Sequence, residues 1–118
     1  MEFGTYDRAA FADELAAAPA NHDIATSIVF ENDRVRVWDL VLEPGERLPF
    51  HCHDRTYFFV SVEAGTAISR FPDGNQVTMD YAPGEPWFTE IGADHEIHDL
   101  ENVGATRLRF TTVELLTR

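Results

Sequence analysis

Two hydrophobic rhythms divide the chain. Between Asp7 and Ala18 the apolar residues Ala10, Phe11 and Leu15 fall on one face of a helix, and Pro19 stops the pattern. This predicts an amphipathic packing helix over 7–18, capped by Thr5 or Asp7. Residues 21–26 read as a connector. From Ser27 the period drops to two. Strands are expected at 27–30, 34–42, 57–62, 66–71, 76–81, 87–91, 95–100 and 106–116. Turn residues separate them: Glu31-Asn32-Asp33, Glu43-Pro44-Gly45-Glu46, Ala64-Gly65, Pro72-Asp73-Gly74-Asn75, Ala82-Pro83-Gly84-Glu85 and Asn102-Val103-Gly104. Asp73-Gly74 is a strong hairpin signal. Turns recurring about every 8–12 residues predict an all-β sandwich or small barrel. The chain therefore divides into an N-terminal helix with its connector (1–26) and a β-barrel domain (27–118).

Length and charge narrow the function. A chain of 118 residues is one domain, large enough to bury a core. Its formal charge is −12, with nine arginines and no lysine. Such a chain repels phosphate backbones and anionic lipid, so neither nucleic acid nor membrane is expected as a partner. The missing lysine excludes Schiff-base chemistry. No apolar run reaches the roughly 18 residues of a membrane span, and the first residues lack a signal-peptide pattern. Cys52 is the only cysteine and has no internal disulfide partner. A cytoplasmic location is expected.

The histidines carry the chemistry. Four of the five fall in two groups, Phe50-His51-Cys52-His53-Asp54 and Asp94-His95-Glu96-Ile97-His98-Asp99. Imidazole is the commonest protein ligand for transition metals. An H-x-H pair on a strand puts both rings on one face, because side chains alternate. One histidine from a neighbouring strand would complete a three-imidazole site. Residues 95 and 98 have opposite parity, so a regular strand points only one of them inward.

Gly45, His51, His53 and Gly65 together resemble the first motif of the cupins, G-x5-H-x-H-x3,4-E-x6-G. The stretch Gly84…Gly92…His98-Asp99-Leu100-Glu101-Asn102 resembles the second, whose core is H-x3-N. The likeness is to small single-domain bacterial cupins and spans Ile28 to Leu116. It implies a double-stranded β-helix, or jelly-roll barrel, with a metal inside. The ligands it implies are His51, His53 and one of His95 and His98, with His98 favoured by its distance to the last strand. The family's glutamate ligand is missing, because its expected positions hold Tyr57 and Phe58. Three histidines suffice in some cupin dioxygenases, and Tyr57 becomes a candidate catalytic hydrogen-bond donor, acid–base or ligand.

The remaining residues have blander roles. Cys52 should face away from the ligands as a buried, inert thiol. Asp54 belongs to a turn, and Arg55 either joins it or reaches an anionic substrate. Trp38, Trp87 and Phe88 should pack in the core or at a dimer interface. Arg36, Arg70, Arg107 and Arg109 should face solvent or pair with acids, and His22 has no assigned role. The expected function is a metal-dependent cupin enzyme acting on a small polar organic acid or carbonyl compound. The implied cofactor is a divalent transition metal, iron first and otherwise zinc, nickel or manganese. A dioxygenase is favoured over a metal-dependent isomerase or lyase. The alternative is a non-catalytic cupin that binds or senses a small metabolite. By analogy with other cupins a homodimer is expected.

Overall fold

The computed structural model describes residues 1–117, and ten strands dominate it. In chain order they are β1 (Glu2–Thr5), β2 (Ser27–Glu31), β3 (Val35–Leu42), β4 (Arg47–His53), β5 (Tyr57–Glu63), β6 (Gly65–Arg70), β7 (Asn75–Tyr81), β8 (Pro86–Thr89), β9 (Glu96–Asn102) and β10 (Leu108–Leu115). They form two five-stranded antiparallel sheets, ordered β1-β7-β6-β9-β4 and β2-β3-β10-β5-β8. The sheets face each other as a double-stranded β-helix.

The alternating pattern explains the packing. Along β10 every second residue is buried, namely Leu108, Phe110, Thr112 and Glu114. Trp38, Leu40 and Leu42 of β3 alternate in the same way, and with Leu100 and Phe110 they form the core. Trp38 is therefore internal, and its Nε1–H donates to Glu114 at 2.6 Å. Trp87 packs against the core beside Phe59 and Tyr81, whereas Phe88 is 66% exposed.

Two motif glycines have separate reasons. Gly45 has φ +85°, a conformation that side chains avoid, in the turn before β4. At Gly65 a Cβ would lie 2.9 Å from Leu108 Cδ1, inside contact distance.

The N-terminal region differs from expectation. The helix predicted over 7–18 is broken into a 3-10 turn (Arg8–Phe11), a six-residue helix α1 (Ala12–Ala17) and a second 3-10 turn (Ala18–Ala20). Asp7 caps the first turn by accepting from the Ala9 N–H, while Thr5 lies in β1. So short a helix depends on tertiary contacts. Glu14 supplies them by accepting from the Phe50 N–H and from Arg47. The division at 26/27 also does not follow the sheets. β1 pairs with β7, Phe3 opposite Val77, so the first residues belong to the barrel. Its four exposed residues carry no alternation that sequence could reveal. β4 was hidden by Pro49, which sits at the irregularity between Leu48 and His51 on an edge strand, where proline is tolerated.

A charge network ties these parts to β9. Asp99 is fully buried and accepts from Arg47 Nε at 2.7 Å, from Arg70 Nη1 at 3.0 Å and from the Arg70 N–H at 2.7 Å. Arg47 continues to Glu14 and Arg70 to Glu101. Asn102 is buried at the end of β9 and donates to the Leu42 and Thr106 carbonyls. The strand carrying His98 is thus fixed at both faces of the motif.

Candidate metal centre

The register of β4 against β9 assembles the site. His51 lies opposite His98, and His53 opposite Glu96. Because residues two apart share a face, these four side chains form one inward patch. His51 Nε2 is 3.1 Å from His53 Nε2, which is 2.9 Å from His98 Nε2. All three donor atoms lie within 4.8 Å of one another. Two donors each about 2.1 Å from one ion lie about 3.0–3.4 Å apart at right to tetrahedral angles, so these separations suit a shared transition ion.

The protonation chemistry also fits a cation. His51 Nδ1 is 2.8 Å from the Pro49 carbonyl, which fixes its proton there and leaves the Nε2 lone pair inward. Burial, then the neighbouring His98 ring, pushes the His51 pKa down to about 3. Burial lowers His98 to about 4 and holds His53 well below the ordinary imidazole value. Neutral imidazoles are the form a metal needs. His53 Nδ1 is buried with no hydrogen-bond partner among the described residues. Its ring is oriented instead by stacking on Tyr57, with centroids 4.0 Å apart and planes 14° apart.

Tyr57 is the buried first residue of β5, on the opposite sheet. Its hydroxyl donates to Glu96 Oε1 at 2.6 Å. Burial, then the Glu96 charge, raises its pKa and keeps the phenol protonated. Glu96 Oε1 is itself 3.7 Å from His98 Nε2. This carboxylate is the residue that sequence reasoning missed. The motif places a glutamate on the strand after H-x-H, and that place holds Tyr57. The available signal was Glu96-x-His98 at strand spacing, the mirror of His51-x-His53.

His95 lies outside the cluster. It is exposed in the loop before β9, with Nδ1 3.8 Å from Cys52 Sγ. Cys52 is buried on the other face of β4, and burial raises its pKa. His22 Nδ1 is 3.0 Å from the Cys52 carbonyl, and Cys52 N–H donates to the Asn21 carbonyl at 2.7 Å, so the connector covers the free edge of β4. Arg55 donates to the Leu116 carbonyl, and Arg36, Arg70, Arg107 and Arg109 are all ion-paired.

The trio borders a cavity of about 50 Å³, room for about three or four water-sized atoms. Beyond Tyr57 and His98 a wider mouth of about 640 Å³ opens between β1/β7 and β5/β8.

Comparison with family models and with curated proteins gave no match. Solved structures do match. A cupin domain protein from Bordetella pertussis Tohama I is 25% identical, covering 75% of this chain and 88% of its own, with TM-score 0.68. The polyketide cyclase RemF from Streptomyces resistomycificus is 25% identical over 74% of this chain and 58% of its own, with TM-score 0.56. A cupin superfamily protein from Desulfitobacterium hafniense DCB-2 covers 87% of both chains at 17% identity and TM-score 0.57. With the double-stranded β-helix, the His51–His98 cross-strand pair and these neighbours together, the chain is a small protein of the cupin superfamily.

Proposed function

We propose that this protein is a metal-dependent enzyme acting on a small carbonyl compound, with the ion held by His51, His53 and His98. The observation that carries the proposal is the convergence of the three Nε2 atoms at the inner end of an open mouth. A bound divalent ion would supply Lewis-acid polarisation of a substrate oxygen or, with iron, redox chemistry with dioxygen.

The chain's own residues do the rest. His51 keeps its lone pair inward through the Pro49 carbonyl, and His53 keeps its orientation through Tyr57. The Tyr57 hydroxyl holds its proton beside the centre and shares it with Glu96. A phenol and carboxylate so placed can pass a proton to and from the carbon next to a carbonyl. Leu40, Leu48 and Phe110 keep the inner chamber apolar and small.

The likeness to a polyketide cyclase supports carbonyl chemistry. Dioxygenase chemistry is the second reading, favoured by a set of three imidazoles that would leave a bound ion positions for dioxygen and substrate. The test is exchange of the α-protons of a small aryl ketone in heavy water, followed by NMR with the metal-loaded protein. Exchange that disappears in Tyr57→Phe supports the proposal. Oxygen uptake without exchange would establish the dioxygenase, and neither activity with any loaded metal would leave a binding protein.

A further inference from the structure

The mouth selects the substrate's body, and this inference rests on the metal-site reading above. We infer that the mouth is a binding site for the ring system of an uncharged aromatic carbonyl or phenolic compound, and that it rejects anionic acids.

Size comes first. The inner cavity of about 50 Å³ admits about three or four atoms of a substrate, its oxygens and the carbon that bears them, but no ring system. The ring system must lie in the adjoining space of about 640 Å³, within the range of ordinary small-molecule sites. Both spaces are bordered by Tyr57, Phe59, Ser69, Tyr81 and His98, so one molecule can occupy them together.

Chemistry comes second. Phe3, Phe71, Val77, Met79, Trp87 and Phe88 supply the walls. Phe71 lies parallel to the His98 ring, 16° between planes and 6.1 Å between centroids, so an aromatic surface leads to the metal ligands. Phe88 is 66% exposed and Phe3 81%, large apolar groups open to solvent beside the opening. Such rings favour flat, aromatic ligands through burial and stacking.

Charge comes third. Among the described lining side chains Glu96 is the only ionised one, and no arginine reaches the mouth. Recognition of a carboxylate or phosphate ordinarily uses arginine. Here the five paired arginines are spent on Glu14, Glu31, Asp39, Glu63, Asp99, Glu101 and Glu114. The carboxylate at the mouth and the net charge of −12 both oppose an anion, leaving a bound ion as its one attraction among the described groups there. The organic-acid half of the sequence expectation is thereby disfavoured.

The experiment uses a matched pair of probes, 1-hydroxy-2-acetonaphthone, which is neutral, and 1-hydroxy-2-naphthoate, which is anionic. Binding of each is measured by calorimetry to metal-loaded and to chelator-treated protein. The neutral ketone should bind about tenfold or more tighter than the acid, and Phe88→Ser should weaken it by a similar factor. Gln76→Arg, which puts a cation on the lining of the mouth, should shift the preference towards the acid. Equal or tighter binding of the naphthoate by wild type, or indifference to Phe88→Ser, overturns the inference. If no metal loads yet the ketone still binds through Phe88, the mouth site stands and the metal reading fails. If metal loads and the acid is preferred, the reverse holds.

Discussion

The hydroxyl of Tyr57, on one sheet, donates to Glu96 Oε1, on the other, at 2.6 Å. The tyrosine occupies the sequence position where the cupin motif has its glutamate, and the carboxylate arrives from across the barrel. The two residues should separate experimentally. Tyr57→Phe retains the ring stacked on His53 and removes only the hydroxyl, so the variant should hold its metal and lose turnover by about 10²-fold or more. Loss of metal, read by mass spectrometry, would make the phenolic oxygen a ligand.

Glu96→Gln removes a negative charge 3.7 Å from His98 Nε2 without changing size. Metal affinity should fall by about 10–100-fold, as it does when carboxylates supporting a metal site are neutralised. Competition with a chromogenic chelator measures it. Affinity equal to wild type would confine Glu96 to holding Tyr57.

The two candidate third histidines predict opposite results. His98→Ala should empty the centre. His95→Ala should leave metal content unchanged, since that side chain is exposed and directed at Cys52. Metal analysis of the two variants decides it.

This choice shows what was legible in the sequence. Alternation placed most strands, and the H-x-H pair with its flanking glycines pointed to the barrel. Parity excluded one of His95 and His98 without saying which. The pairing of His51 with His98 and His53 with Glu96 depends on the β4–β9 register, a long-range property that no local window contains. β1 was invisible for a similar reason, because its exposed residues are strand only by virtue of β7.

The metal-free protein should weaken in acid. His51 and His98 titrate near 3 and 4 when folded, and His53 also well below normal, whereas unfolded imidazoles take protons near 6.5. Between those values the unfolded chain binds more protons, so stability is full above about 6.5 and declines as pH falls towards 4. Each histidine contributes up to about 1.4 kcal/mol per pH unit. Urea unfolding in chelator at pH 7.5, 6 and 5 should show the decline, and His51→Gln should reduce its slope. A flat profile would contradict the buried neutral trio.

The clamp beneath β9 should be stability-critical. Asp99→Asn leaves Arg47 and Arg70 facing a neutral amide in a buried position, and unfolding free energy should fall by about 3–5 kcal/mol. Thermal unfolding measures this. A loss below about 1 kcal/mol would show that solvent already screens the network.

The most direct measurement is metal content by mass spectrometry on untagged protein purified without chelator, beside the His51→Ala/His53→Ala double variant. The account predicts a near-stoichiometric transition metal in the wild type and none in the variant. Wild-type protein that holds no metal, and takes up no iron, zinc, nickel or manganese on reconstitution, would contradict it.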